Sequence, residues 1–428
     1  MADKKIKHRL DKHGNPHTYG ELLVKFHDKF DHKKLQLVLE NIAHDNKISI
    51  DSITVNHCSC SEEDVVLLSY QDNVTGNLEP RSANMGDQDG DEDAYHKNIE
   101  GISYSHNYFH APLPHHLNAL GQHPKDFEHP DTIIGKMHHK AQEKRLIVAI
   151  LDSGLDFDHP DLRLDANFAL WQAPKGSCYV LGHDFVNKLQ YAVDDFGHGT
   201  QVTGVILNQL EQSNTPIDIM PLKISDEHGV VKLFDLYCAM NFAVNHGAKI
   251  VNISAGWYGQ PNGIIKSVIQ DHPDVLFICS AGNDGINTDS EDSSHYPSGF
   301  SDLPNVISVA AMNELKDNLA EFSNFGKNTV AIAAPGENIT TMTPSEGQES
   351  KHTTTEVSGT SFSAPYVTAM AIAIKKCNQE TSGIELMGED LKNEVFKIGQ
   401  SNAIVEGKLS TNQVLDDRIQ PSHFFECN

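Results

Sequence analysis

The chain has 428 residues, with 59 acidic and 33 basic side chains and a formal net charge of −26. That balance excludes a nucleic-acid binder working through a basic face, because phosphate contacts need clustered Lys and Arg. A hydrophobic share of 39% can bury a sizeable core, and no apolar run is long enough to span a membrane as a helix.

The opening "MADKKIKHRLDKHG" is positively charged, but no apolar stretch follows it, so it does not read as a secretory leader. A cytoplasmic location is expected. Glu21 to Phe26 ("ELLVKF") predicts a strand. In "HKKLQLVLENIAH", Leu35, Val38, Leu39 and Ile42 share one helical face. "ISIDSITV" and "DVVLLSY" again read as strands. Together these predict a small α+β domain over residues 1–75, near the lower size limit for independent folding.

Residues 76–130 are polar and most acidic at "GDQDGDED". The turn glycine of a calcium-binding EF-hand is out of place there, so a solvated linker is expected. Of the 25 histidines, 16 precede residue 145, including His115–His116 and His138–His139. Their spacing repeats no metal-ligand pattern, and a metal sensor built on them would rest on composition alone. Cys58, Cys60, Cys178, Cys238, Cys279, Cys377 and Cys427 give an odd count at scattered spacing. They are expected to be reduced thiols without a disulfide framework.

From Leu146 onward the pattern becomes regular. "RLIVAIL", "IDIMPLKI", "AKIVNIS", "VLFICSA", "VISVAA" and "TVAIAAP" are short continuous apolar runs, as strands buried on both faces require. Helical patterns lie between them. In "KLFDLYCAMNFAVNHG", Leu233, Leu236, Tyr237, Met240, Ala243 and Val244 share a face and Gly247 is a stop. Alternating strands and helices predict an α/β fold with a parallel sheet, whose sites form at the strands' C-terminal ends.

Four residues fall at such places. Asp152 ends the first run in "AILDSGLDFDHPDL", and His198 stands between two glycines at a helix start in "DDFGHGTQVTGVI". Asn283 follows a strand in "FICSAGNDG", and Ser361 opens the helical run "VSGTSFSAPYVTAMAIAIKK". Singly, each has a plain structural reading: Asp and Asn form turns, Ser caps helices, and His sits on surfaces. Together they are the parts of a nucleophilic acyl-transfer site, with a base, an orienting acid and a nucleophile at a helix N-terminus whose free N–H groups favour an oxyanion. Pro365 is placed in the first turn of that helix, where its missing N–H costs little.

The motifs "DSG" (152–154), "HGT" (198–200), "SAG" (254–256), "SAGN" (280–283) and "GTSFSAP" (359–365) resemble, in order, those of the subtilisin-like serine proteases. The resemblance covers about residues 145–420. It implies a three-layer sandwich with a mostly parallel central sheet, forming a peptidase domain over 131–428 beside the small N-terminal α+β domain. It further implies a serine endopeptidase acting on peptides or proteins, with Ser361 as nucleophile, His198 as base, Asp152 as its orienting acid and Asn283 as oxyanion donor. Ser254, Ala255, Gly256 and Ser280, Ala281, Gly282 would form two walls of the pocket for the side chain before the cut. His295 lies near its floor, leaving preference open between large apolar and basic side chains.

No cofactor is required on this reading and no metal ligand is assigned. Asp161 matches a calcium ligand of the family, but "NQLEQSNTPIDIM" is shorter than the calcium loop of secreted members, so a structural calcium stays open. Gln201 stands where the family often has a second histidine. Residues 1–75 would be a pro-domain, an intramolecular partner that packs on the protease and restrains it. An inactive scaffold is the competing reading, opposed by a reactive residue at every position of the triad.

Overall fold

The computed structural model describes residues 8–10, 16–26, 30–46, 48–58, 65–70, 102–110, 145–162, 167–173, 181–211, 215–344 and 354–415. They fall into two compact units, Met1–His110 with Lys232–Cys238, and Ala111–Val231 with Ala239–Asn428.

In the first unit, β1 (His8–Leu10) and β2 (Pro16–Phe26) precede α1 (His32–Asn46), β3 (Ile53–His57), β4 (Val65–Tyr70) and β5 (Ile102–His110). The antiparallel order is β5-β2-β4-β3, with β1 also on β2. Asp31 starts the helix, its carboxylate accepting the Lys33 N–H at 2.8 Å. Leu35, Val38 and Leu39 of the predicted face pack on Val24, Phe26, Ile53, Val66 and Leu68, with Ala43 buried beside them and the predicted Ile42 only partly buried. Each such side chain, fully buried, contributes roughly 1.5–3 kcal/mol. On the opposite face of the strands, Leu23, Val65 and Leu67 are buried as well.

Three expectations change here. "ISIDSITV" is only half strand: Ile50–Ser52 is a 3₁₀ turn whose Asp51 N–H is taken by Ser49 Oγ, a local bond that competes with the sheet ladder. Ile102–His110, inside the expected linker, is a strand paired with β2. Ile102, Tyr104, Tyr108 and Phe109 are good strand formers, but the interleaved Ser, His and Asn disguise them. Finally, Cys58 and Cys238 form a disulfide across a sequence separation of 180, which corrects the expectation of unbridged thiols. Spacing cannot show a pairing that only folding creates, so the odd count carries no weight for a reducing compartment. Cys279 and Cys377 are free. Cys60, Cys178, Cys427, "GDQDGDED" and the paired histidines lie outside the described residues.

From residue 145 the chain runs through β6 (Leu146–Asp152), β7 (Phe168–Leu170), β8 (His183–Asp184), α2 (His198–Gln209), β9 (Ile217–Lys223), β10 (Val231–Lys232) and α3 (Leu233–Asn245). There follow β11 (Ile250–Ile253), β12 (Trp257–Tyr258), α4 (Gly263–Asp271), β13 (Leu276–Ser280), β14 (His295–Tyr296), β15 (Val306–Met312) and β16 (Ile332–Pro335). The last elements are β17 (Ile339–Met342), β18 (Thr354–Val357), α5 (Thr360–Ser382), α6 (Gly388–Ile398), β19 (Gln400–Ser401) and β20 (Gln413–Val414).

All six predicted runs are strands of one sheet, ordered β7-β9-β6-β11-β13-β15-β16-β20, with β8 beside β9 and β19 closing the far edge. Every pairing is parallel except β19 with β20. Valine and isoleucine fill both faces, and helices complete a three-layer α/β sandwich. On one face, Val202, Val205 and Ile206 of α2 share a core with Val367, Met370 and Ala371 of α5. The chain steps from β6 to β9 on one side and later to β11 on the other. The C-terminal end of β6 is therefore the switch point where such sheets carry their sites.

Buried His183 in β8 makes this unit acid-sensitive. Burial, and then the Lys188 charge, lowers its pKa from 6.5 to about 4. The folded value is the lower one, so the unfolded chain binds more protons between the two. Stability falls as pH drops from 6.5 toward 4. At about 1.4 kcal/mol per pKa unit, the loss at pH 4 is roughly 3 kcal/mol. Urea titrations at pH 7 and 4.5 should show a smaller drop for His183→Gln than for wild type. Equal drops would remove His183 as the cause.

Candidate active site

Asp152 is the last residue of β6 and is buried. Its Oδ1 accepts the Ser153 N–H at 2.8 Å and lies 2.7 Å from His198 Nδ1. A carboxylate can only accept, so Nδ1 carries the proton and Nε2 keeps its lone pair. That Nε2 is buried without a hydrogen-bond partner among the described residues.

His198 is the first residue of α2, behind Gly197 with φ of 103°. No side chain caps this helix from the usual position. Asp194 does the work instead. Its Oδ1 accepts from Gly197 N (2.6 Å) and Ser153 Oγ (2.7 Å), and its Oδ2 accepts from Thr200 N (2.9 Å) and Thr200 Oγ1 (2.6 Å). A carboxylate here satisfies the helix's free N–H groups and suits its positive end. Gly199 permits the approach: a Cβ there would stand 2.2 Å from the Gly154 carbonyl oxygen. From β9, Lys223 sits in register with Asp152. Its buried ammonium donates to the Ser153 carbonyl (2.9 Å) and pairs with Asp195 (2.5 Å). Burial pushes the Asp195 carboxyl up, and Lys223 pulls it back down.

Ser361 is the second residue of α5, and Pro365 lies inside that helix rather than in its first turn. The correction has a consequence. Proline cannot donate to the carbonyl four residues earlier, and that carbonyl belongs to Ser361. It accepts from Ser254 Oγ instead, at 2.8 Å. Behind it, Thr368 Oγ1 donates to Asn252 Oδ1 (2.9 Å) and Asn252 Nδ2 to Ser254 Oγ (3.0 Å). The nucleophile's backbone is thus tied to the end of β11. Ser361 Oγ donates to the Ser254 carbonyl at 3.3 Å, a long and therefore weak bond. Catalytic hydrogen bonds often tighten only with substrate bound.

Asn283 follows β13. Its Oδ1 accepts from Thr360 N (2.8 Å) and Thr360 Oγ1 (2.9 Å). This fixes the amide's orientation and leaves Nδ2 as a donor beside Gly359 and the start of α5. The Ser361 N–H, in the first turn, is one that helix geometry leaves without an intrahelical acceptor. Asn324 braces the loop, donating to the Ala281 carbonyl (2.9 Å) and accepting from Asp284 N and Ile286 N (both 3.1 Å).

The structure therefore joins Asp152 to His198, Ser254 to Ser361, and Asn283 to the residue before Ser361. Ser254–Gly256 and Ser280–Gly282 continue neighbouring strands and are buried. A small cleft is lined by Asp152, Phe196, His198, Val231, Ser254 and Ala255. Sequence reasoning missed Asp194, Lys223, Thr360 and Asn324. Asp194 was visible within "DDFGHGT", and Thr360 within "GTS"; Lys223 and Asn324 had no local signal. Among the described residues, no group of three His, Cys, Asp or Glu side chains could hold a metal ion. An imidazole of fixed tautomer, a helix-borne hydroxyl and N–H donors beside it are groups of the kind that acyl transfer through a covalent intermediate uses.

A parallel sheet with these groups at its switch point defines an α/β hydrolytic scaffold. Residues 143–397 match the model of the subtilase family, and the chain belongs to that family. It is 32% identical over 232 residues to the cell wall-associated protease of Bacillus subtilis (strain 168), covering 53% of this chain but 23% of that protein. The chain thus spans less than a quarter of that relative's length. It is 28% identical over 253 residues to the major intracellular serine protease of the same organism, covering 56% of this chain and 70% of the other. A solved lanthipeptide protease shares the fold, with TM-score 0.52 and 24% identity over 66% of this chain and 87% of that one.

Proposed function

We propose that the protein is a serine endopeptidase. The observation that carries this reading is the buried Asp152–His198 hydrogen bond, which leaves a lone pair on Nε2, with Ser361 at the head of α5 and Asn283 beside it. Ser361 Oγ attacks the scissile carbonyl carbon while its proton passes to His198 Nε2. The imidazolium keeps its bond to Asp152, and the oxyanion takes hydrogen bonds from Asn283 Nδ2 and the Ser361 N–H. The C–N bond then breaks and Nε2 gives its proton to the leaving amine. Water repeats the sequence on the ester, returning Ser361. Substrates are peptides or proteins, lying against Ser254–Gly256 and Ser280–Gly282. Digestion of a peptide library read by mass spectrometry tests it: wild type cleaves, Ser361→Ala does not.

We further propose that the N-terminal unit restrains the enzyme. Its sheet is apolar on both faces: α1 covers one, and Leu23, Val65 and Leu67 of the other are buried too, so this is a sheet built to be packed on both sides rather than to face water on one. Residues 1–110, made separately and added to 131–428 under reducing conditions, should inhibit at micromolar concentration or better. A piece that neither inhibits nor raises the refolding yield would overturn restraint.

A further inference from the structure

The slot beside the nucleophile is closed at its far end by one side chain. Ser254–Gly256 leaves the sheet just past Ile253, the last residue of β11, while Ser280, the last residue of β13 and paired with Val309, runs on into Ala281 and Gly282. Both remain tied to the head of α5, through Ser254 to Ser361 and through the Gly282 N–H to Thr360 Oγ1 at 3.1 Å. Between them stands the imidazole of His295. A Cβ added at Gly256 would lie 2.4 and 2.5 Å from its Cε1 and Nε2, and one added at Gly282 would lie 3.1 Å from its Cδ2. One ring edge therefore touches the backbone of both walls.

The ring is not free to swing away. It is 3% exposed. Ser298 Oγ donates its single proton to the His295 carbonyl at 2.9 Å, so His295 Nδ1 is the donor in the 2.8 Å bond to that hydroxyl. The ribbon of β12 and β14 pairs Tyr258 with His295, and the Tyr258 ring meets the imidazole edge-on at 4.9 Å. Tyr258 is fixed in turn by Asn324 Nδ2, which donates to its hydroxyl at 2.6 Å. That hydroxyl and that amide nitrogen are also the atoms nearest a Cβ at Gly282, at 2.7 and 2.4 Å. The end of the slot is packed solid from three elements.

We propose that His295 is a specificity-determining residue that shortens the slot, so that the enzyme selects a small residue (glycine, alanine or serine) immediately before the scissile bond. The proposal rests on the endopeptidase reading. A large side chain entering from Ser361 would have to displace a braced, buried ring, and overpacking a filled site is costly. A small one asks for little of that displacement. This is neither of the two preferences that sequence alone left open.

Peptides identical except for Ala, Leu, Phe or Lys before the cut test it with full-length protein. Wild type should favour Ala over Phe in kcat/KM by about 100-fold, within the range that pocket size can discriminate. His295→Gly should raise the Phe-to-Ala ratio at least ~30-fold. A role in folding alone would lower all four rates together and leave the ratios fixed. Wild type cutting fastest after Phe, Leu or Lys overturns the proposal without any variant. So does an active His295→Gly with unchanged ratios. Cleavage of none of the peptides by wild type, even in a library digest, removes the endopeptidase reading and this one with it.

Discussion

Replacing Ser361 by alanine is expected to remove nearly all peptidase activity while leaving the fold intact. The hydroxyl's one bond among the described residues is the 3.3 Å contact to the Ser254 carbonyl, so its loss costs stability little. Its loss from the reaction is total in the proposed steps, because the neighbouring Thr360 hydroxyl is committed to Asn283 Oδ1 at 2.9 Å and Ser363 Oγ is buried. His198→Ala should be as damaging, since Nε2 is the proton's only destination in the proposed steps. For subtilisin, the family's type member, loss of nucleophile or base costs on the order of 10⁶ in kcat, and the double loss is hardly worse. The same non-additivity is expected here, with Ser361→Ala/His198→Ala within about tenfold of either single variant. Unchanged thermal unfolding alongside lost turnover completes the result. Substantial turnover by Ser361→Ala would sink the nucleophile assignment.

How much of this could be read from the residues alone depended on whether the cause was local. The strands of the central sheet were legible because burial on both faces demands an unbroken apolar run such as "LIVAIL" or "VISVAA". Asp152, His198, Asn283 and Ser361 were legible because a sharp turn at a strand end needs glycine and small polar residues nearby. Partnerships across the chain were not. Asp194 looks like one more turn-forming carboxylate until five donors converge on it. Lys223 reads as a strand-end charge facing water, yet the Ser153 carbonyl and Asp195 bury it. Pro365 shows the limit differently. Its position looked tolerable, whereas the bond it withholds from the Ser361 carbonyl is the one Ser254 fills. The Cys58–Cys238 bridge and the β5 pairing belong to the same class, set by topology and silent in sequence.

Asn283→Ala is expected to lower kcat far more than it changes KM, by about 10²–10³, the scale known for the corresponding donor in subtilisin. The reason is that an oxyanion exists only in the transition state, so an amide aimed at it contributes little to ground-state binding. In this protein Asn283 has a second task, and alanine alone would confound the two. Its Oδ1 accepts both the N–H and the hydroxyl of Thr360, so removing it also loosens the start of α5, costing about 1 kcal/mol of stability. Asn283→Asp separates them. The carboxylate still accepts from Thr360, and negative charge suits a helix N-terminus, so stability should hold or rise. The donor, however, is gone, and a negative oxygen now faces the developing oxyanion. The aspartate variant should therefore be the more stable of the two and no more active. If Asn283→Asp instead kept wild-type kcat, Asn283 would matter only as the anchor of Thr360. If both variants raised KM with kcat unchanged, the amide would be binding substrate rather than stabilising its transition state.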